Sequence, residues 1–580
     1  MQGVTGQFFK QFGLTITAAV LISLFVAFTL DPMLSARLAR ARVPGQARRE
    51  PAWVGRIRSA FDASDRFYER TLGWVLRHRR LTVAAAALLF LASLGLGRTL
   101  GSEFLPAEDR SQLVVTFDYL PGTSLATTAR RSALLEAQVQ ALPGVTAVYA
   151  TVGPQEDVRA ARWRVNLVDK GRRREPAEAF KDRIRRILAG DREILSSAVS
   201  DPPTVEGLGD YPPILMRVVG RDFAELRREA QFLTDTMNGI DALRDVQLKD
   251  SPGKPELQVE VRREEAARVG LTAGAVAMQV RLATQGEIAG KLREGRRESE
   301  IRVRLAAEDR ESRGALQRLW IATPRGPVGL DQLATLRSAQ GPAVIEHEQR
   351  ERQISVWAQV APGHDLGEAT GKLRAALAGR QLPPGYFYIW DGMQKEQAES
   401  ASAMVLALGI AVIFIFIVLA SQFESLVHPF TIMLSLPLAV VGAFTGLWLT
   451  GKSINMGSLI GLILLMGLVT KNAILLIDGA LQHIREGDEP ETAIRKAGPR
   501  RLRPILMTSG AMVLGMLPTA LGRGMGSEFR SPMAITVIGG VITSTLLTLW
   551  VVPVVFLWIE RLRGGRGRAG EVPLVGTRSA

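Results

Sequence analysis

Four residues in the C-terminal third of the chain have types and spacing that could support chemistry. Lys471 stands inside an apolar run, Gly467-Leu-Val-Thr-Lys-Asn-Ala-Ile-Leu-Leu-Ile477, with Asn472 beside it. A charged amine at membrane depth costs at least about 2.5–3.5 kcal/mol on insertion scales, so it has to be paired, neutral or reaching for an interface. Asp478, seven residues on and two helical turns away, ends the same run, and no carboxylate lies inside any apolar run of the chain. Three readings stay open for Lys471: it is neutral, it snorkels, or its acid comes from residues outside this chain. Its chemistry would be proton or ion transfer. Thr508 follows Arg501-Leu-Arg-Pro504 one turn into the next apolar run. A hydroxyl there can pass a proton inside a bundle, or merely back-bond to its own helix. Arg501 would assist at the membrane face or, like Arg503, act as a plain anchor.

The elements that must position these residues follow from the composition. The chain has 580 residues, no Cys, five His, and 72 basic against 57 acidic residues, a net +15. Without Cys there is no disulfide framework, Cys-ligated zinc or thiol nucleophile. Five His speak against a multi-His metal centre. No Gly-rich phosphate loop and no Gly-x-Ser-x-Gly elbow are expected, and bond-making enzyme chemistry is not.

Apolar residues are strongly segregated. Seven nearly charge-free windows, 12–30, 81–96, 403–420, 429–449, 457–477, 505–521 and 532–558, each cover most or all of a ~30 Å hydrocarbon core as helix. Basic residues set the orientation. Segment 35–80 holds twelve Arg against four acids, segment 478–504 six Lys or Arg, and the tail after Trp558 five Arg. The short alternate connections hold only Lys452 in one and Arg523 and Arg530 in another, with Lys10 before the first window. The positive-inside rule places the basic segments in the cytoplasm and 98–401 outside, with no conflict along the chain. Because Arg clusters beside spans rather than on a folded patch, nucleic acid is the weakest partner. The first window starts at the outer face, is too long for a signal peptide and ends in Asp31-Pro32; further chain upstream of Met1 is expected. Segment 57–76 repeats Ile57, Phe61, Tyr68, Leu72, Val75 and Leu76 at helical spacing with Arg between, which suits an amphipathic helix on the inner leaflet or one packed on the membrane domain.

The outside region repeats a strand–helix–strand unit: 112–119, 124–142, 145–152; then 164–168, 175–187, 194–199; then 214–220, 222–237, 243–248; then 354–360, 366–377, 386–390. Paired units give βαββαβ, a ferredoxin-like sandwich. The first two units make one domain. The last two make another, interrupted by 252–345, a small α+β module with strands at 257–261 and 301–305 and a hairpin-like turn at 320–330. His347 and His364 read as surface or turn residues.

These residues resemble the resistance-nodulation-division (RND) efflux pumps, hydrophobe/amphiphile branch. The likeness is carried by Ser421-Gln-Phe-Glu-Ser-Leu-Val-His-Pro-Phe430, Thr450-Gly-Lys-Ser-Ile-Asn455, Gly467-Leu-Val-Thr-Lys-Asn-Ala-Ile474, Arg501-Leu-Arg-Pro-Ile-Leu-Met-Thr508 and Phe104-Leu-Pro-Ala-Glu-Asp109. The resemblance implies twelve spans in two halves, of which this chain matches the last span of the first half and the whole second half. It implies a transmembrane helix at 1–34, a cytoplasmic amphipathic linker at 35–80 and a second span at 81–97. Porter subdomains would be 98–200 and 201–251 with 346–392, an inserted funnel or docking subdomain 252–345, five spans 393–560 and a basic cytoplasmic tail 561–580. It further implies an inner-membrane trimer with a periplasmic adaptor and an outer-membrane channel, driven by the proton motive force without a cofactor. In the relay so implied, Lys471 answers an Asp pair on a first-half span, with Thr508 and Arg501 auxiliary and Asn472 in the corresponding place of the duplicated motif. Tyr149 matches one aromatic substrate-binding position, or is a core strand residue. The Asp pair is absent, and loop 153–162 is short and polar where multidrug members are Phe-rich. The expected function is proton-driven export of amphiphilic compounds by a chain inactive alone. Lipid or metal cargo, a non-transporting scaffold and a truncated inactive product are the alternatives; the heavy-metal branch lacks the Lys.

Overall fold

The computed structural model describes residues 3–38, 52–154, 157–203, 212–250, 254–341, 344–522, 524 and 526–567. Arg523, two residues of loop 153–162, and parts of the basic segments 35–80 and 561–580 lie outside the described residues.

The chain opens with three helices, α1 (Gly3–Leu38), α2 (Ala52–Arg77) and α3 (Arg79–Gly97). The first sheet is built from β1 (Gln112–Tyr119), α4 (Leu125–Gln140), β2 (Val145–Val152), β3 (Ala160–Leu167), α5 (Ala177–Ala189) and β4 (Ile194–Ser200). Its strand order is β2-β3-β1-β4, all antiparallel. Alternation puts Leu113, Val115 and Phe117 on the inner face, where they meet Trp163 and the helix residues Ile184 and Leu188. Ser124 caps α4 by accepting from the Thr127 amide.

The second sheet begins with β5 (Ile214–Gly220), α6 (Phe223–Asn238) and β6 (Leu243–Lys249). An inserted module follows: β7 (Lys254–Val261), α7 (Arg263–Arg268), α8 (Ala273–Thr284), β8 (Glu287–Glu294), β9 (Arg297–Val303), α9 (Arg313–Gln317), β10 (Trp320–Ile321), β11 (Val328–Gly329), α10 (Leu330–Leu333) and β12 (Ala334–Gly341). Here β7 pairs with β12, and β8 with β9 in a hairpin exposed along nearly all its length. The second sheet resumes with β13 (Glu346–Glu348), β14 (Glu351–Val360), α11 (Leu366–Leu377) and β15 (Phe387–Asp391). Strand β14 pairs with β5 on one edge and with β6 and β13 on the other, while β15 closes the far side of β5. The two sheets thus repeat one strand order.

The chain ends in α12 (Met393–Phe423), α13 (His428–Met433), α14 (Ser435–Leu449), α15 (Met456–Arg485), α16 (Pro490–Ala520) and α17 (Ser527–Gly567). In hydrocarbon only internal hydrogen bonds satisfy the backbone, so charge-free runs become helices. Among the described residues six helices are long and apolar enough to cross a membrane: α1, α3, α12, α13 with α14, α15 and α17. The seventh expected run, 505–521, is the C-terminal half of α16. Thr508, Ser509, Gly510 and Pro518 dilute it, and the helix ends at Ala520. That half still packs into the bundle, with Met512, Val513 and Met516 against Leu465, Val469 and Val541. Helices α14 and α17 cross at their backbones: a Cβ on Gly442 would overlap the carbonyl oxygen of Gly539, and one on Gly539 that of Gly442.

Helix α2 packs on α16 and α17. Tyr68, Leu72, Val75 and Leu76 are buried among α16 and α17 residues, and the Tyr68 hydroxyl donates to the Leu549 carbonyl at 2.9 Å. From α16, Arg503 Nε donates to Asp65 at 2.9 Å, and its guanidinium also pairs with Asp62. The side chain of Ile57 lies outside the described residues.

Candidate functional site

Helix α15 begins under a capping box. The Asn455 side chain accepts from the Ser458 amide and the Ser458 hydroxyl accepts from the Asn455 amide, each at 2.9 Å. Four turns on, Lys471 and Asn472 leave the helix about 100° apart, so they face different neighbours. Asn472 turns inward and is 2% exposed. Its amide nitrogen donates to Ser509 Oγ of α16 at 3.3 Å and to Thr545 Oγ1 of α17 at 3.1 Å, and these hydroxyls are 2.8 Å apart. One polar triad therefore ties three apolar helices together. Asn472 Oδ1 is buried with no hydrogen-bond partner among the described residues.

Lys471 lies on the adjoining half-buried face. Its Nζ meets Met512 Sδ of α16 at 3.6 Å and makes no ion pair among the described residues. A thioether is a weak acceptor and does not balance an ammonium charge. Met512 is one turn beyond Thr508, so Lys471 and Thr508 share one side of the α15–α16 pair. The Thr508 hydroxyl, however, donates to the Ile505 carbonyl at 3.1 Å, the back-bonded arrangement. Arg501 sits apart from Lys471, its guanidinium 3.9 Å from Asp478 near the end of α15.

Tyr149 is 73% exposed on the edge strand β2, so it is not the core strand residue that was one of its two readings. Ser509 and Thr545 were not singled out from sequence. The available signal was the density of hydroxyls in window 532–558, with Thr543, Ser544, Thr545 and Thr548 in six positions. Gly446-Leu-Trp-Leu-Thr-Gly-Lys-Ser453 does meet phosphate-loop spacing, contrary to the expectation above. It follows a membrane helix rather than a strand, and the amides of Thr450, Gly451 and Lys452 donate to carbonyls at the end of α14. Those donors are spent on capping the helix, so the match carries no nucleotide chemistry.

The family described as AcrB/AcrD/AcrF matches residues 1–560. The chain belongs to this family of RND transporters. Its members are transporters rather than enzymes, and the chain is a multi-pass membrane protein. The cobalt-zinc-cadmium resistance protein CzcA of Cupriavidus metallidurans is 26% identical over 97% of this chain and 54% of its own length. The multidrug resistance protein MdtC of Cronobacter sakazakii is 28% identical over 97% of this chain and 54% of its own length. A crystal structure of a heavy metal efflux pump is 25% identical with a TM-score of 0.77, covering 91% of this chain and 54% of that one. The chain therefore spans about half the length of the curated relatives it matches, and these include both metal resistance and multidrug resistance proteins.

Proposed function

We propose that this chain forms part of a proton-driven exporter of amphiphilic compounds in the inner membrane. Residues 98–401 would be periplasmic and build the porter and docking subdomains, and seven spans would include the C-terminal half of α16. The observation that carries this reading is Lys471: an amine in the middle of a spanning helix, half-buried, and held among the described residues only by a thioether. A bundle retains such a group when a carboxylate faces it during part of a cycle. In this reading the acid comes from polypeptide beyond these residues, as the doubled length of the relatives allows. Protonating that acid releases its attraction to Lys471 and lets α15 move. Thr508 lies on the same side and could hand on a proton by turning away from Ile505, while Arg501 and Asp478 mark the cytoplasmic end. Asn472 positions α15 through its hydrogen bonds to α16 and α17. A trimer with a periplasmic adaptor and an outer-membrane channel, the general assembly of the family, is the expected setting. Tyr149, exposed on β2, is kept as a candidate substrate contact.

The test is Lys471→Met in cells carrying the complete transporter. Export and coupled proton uptake should both be lost while the protein still reaches the membrane; unchanged export would overturn the relay. Metal cargo is the second reading, favoured by the likeness to CzcA and to the heavy metal pump. Export assays with a cationic dye and with a divalent metal separate the two.

A further inference from the structure

A cavity of about 390 Å³ lies under α2, between it and helices α16 and α17. Ala63, Phe67 and Thr71 line it from α2, Leu506 from α16, Leu546 and Trp550 from α17. Its size falls within the range of sites that hold small ligands. The polar groups of its wall are engaged within the protein. Tyr68 donates to the Leu549 carbonyl, Trp550 Nε1 donates to Thr71 Oγ1 at 3.3 Å, and Ser64 has a partner of its own. The wall therefore presents aliphatic and aromatic surface with no directional demand, and such a space takes an apolar occupant rather than water.

The two edges of α2 differ. Asp62, Asp65 and Glu69 recur at helical spacing along one edge, where Arg503 pairs with Asp62 and Asp65. Ala63, Phe67 and Thr71 recur along the other, at the cavity, with Trp74 one turn beyond. Phe67 and Trp74 are 64% and 53% exposed. The outermost face between the edges carries the exposed Arg66 and Arg70. A cavity walled by α16 and α17, with an aromatic lip and arginines above it, matches a lipid whose chain enters sideways and whose headgroup is anionic.

We propose that this cavity is a binding site for one acyl chain of an anionic phospholipid of the leaflet on which α2 lies, its phosphate facing Arg66 and Arg70. The chain would wedge α2 against α16 and α17 on the edge opposite the Arg503 ion pairs, so α2 is held on both sides. The site does not depend on the cargo or on the proton relay.

The test uses the full chain in bilayers containing a phosphatidylglycerol with a photoreactive diazirine in its acyl chain, read by mass spectrometry of the adducts. Adducts are expected at Phe67, Leu506 and Leu546 several-fold above those at Phe414, a 63% exposed residue on α12 that serves as the bulk-lipid control. Ala63→Phe, which fills the space, should lower the cavity adducts several-fold and leave those at Phe414 unchanged. Leu546→Phe gives the same reading if Ala63→Phe fails to fold. Cavity adducts no more abundant than those at Phe414, or unchanged in both variants, would overturn the proposal. So would a free fatty acid carrying the same diazirine that labels the wall as strongly as the phospholipid.

Discussion

The Asp365 carboxylate caps α11 and at the same time accepts the backbone amide of Ser102, at 3.0 Å. The same Oδ1 takes the amides of Gly367 and Glu368 at 2.9 and 3.1 Å. Ser102 in turn accepts the Gly367 amide through its carbonyl. On its other side the 101–104 segment bonds to the start of α15: Ile454 donates to Gly101, Glu103 to Ile454 and Met456 to Phe104. One short segment is thus bound both to the second sheet's helix α11 and to the helix that carries Lys471. Phe104, Met456 and Ile460 bury their side chains in the same core as Ile214 and Val356, so the joint is packed as well as hydrogen-bonded.

Replacing Asp365 removes a cap and a cross-link together. Loss of an N-cap costs about 0.5–2 kcal/mol. In Asp365→Ala, hydrogen exchange at the Ser102, Gly367 and Glu368 amides should speed up accordingly, while amides of the first sheet keep their wild-type protection. Unchanged exchange at Ser102 would show that the carboxylate does not hold the joint.

Glu103 makes this joint sensitive to pH. Burial pushes its carboxyl above the usual carboxylate range; the Ser453 hydrogen bond lowers it, Asp365 raises it further and Lys452 lowers it. A raised acid favours the folded state in its protonated form. The contribution is therefore full below the ordinary glutamate value of about 4.3 and is lost as pH rises through the elevated one. Exchange-derived stability at 101–104 should fall as pH rises across that interval. Glu103→Gln, which stays neutral, should flatten the profile, and a profile identical to wild type would refute the assignment.

The α14–α17 crossing predicts the largest single loss. Where two backbones touch, any side chain forces the helices apart and strips their neighbours of packing. Gly442→Val should cost at least about 1–3 kcal/mol, the usual range for overpacking a core. It should lower the unfolding midpoint of the detergent-solubilised protein more than Gly409→Val, at a position with open space around its Cβ.

Several elements were legible because their environment is one-sided. Alternation over 112–119 marks β1, where Leu113, Val115, Phe117 and Tyr119 are buried while Gln112, Thr116 and Asp118 stay partly open. The β8–β9 hairpin was not legible as a pair: both strands are exposed and charged, so no alternation betrays them, and only its second strand was anticipated, displaced by a few residues. Strand β3 starts at Ala160, four residues before the expected 164, and Ala161, Arg162 and Trp163 continue the same alternation of buried and open positions. In the membrane, Lys471 was legible because a lone charge in an apolar run is costly. The hydroxyl partners of its neighbour were not. Thr508 and Ser509 look alike in sequence, and only the rotation of α16 decides that Ser509 faces Asn472 while Thr508 bonds to its own helix.

That rotation sets the outcome of mutating the triad. Asn472→Ala removes the donor shared by Ser509 and Thr545, but those hydroxyls, 2.8 Å apart, still satisfy each other. The loss should therefore stay near the average of about 0.6 kcal/mol for interhelical hydrogen bonds in membranes, rather than the 1–3 kcal/mol of an orphaned buried group. Thr545→Val removes an acceptor of Asn472 and the partner of Ser509 in one step, leaving Asn472 only Ser509, and should cost more than Asn472→Ala. Thr508→Val disturbs only a back-bond on an exposed face and should be nearly neutral for stability. The three substitutions, ranked by unfolding of the solubilised chain, separate the structural role of the triad from transport. Should Thr508→Val prove as destabilising as Thr545→Val, the orientation of α16 described above is wrong.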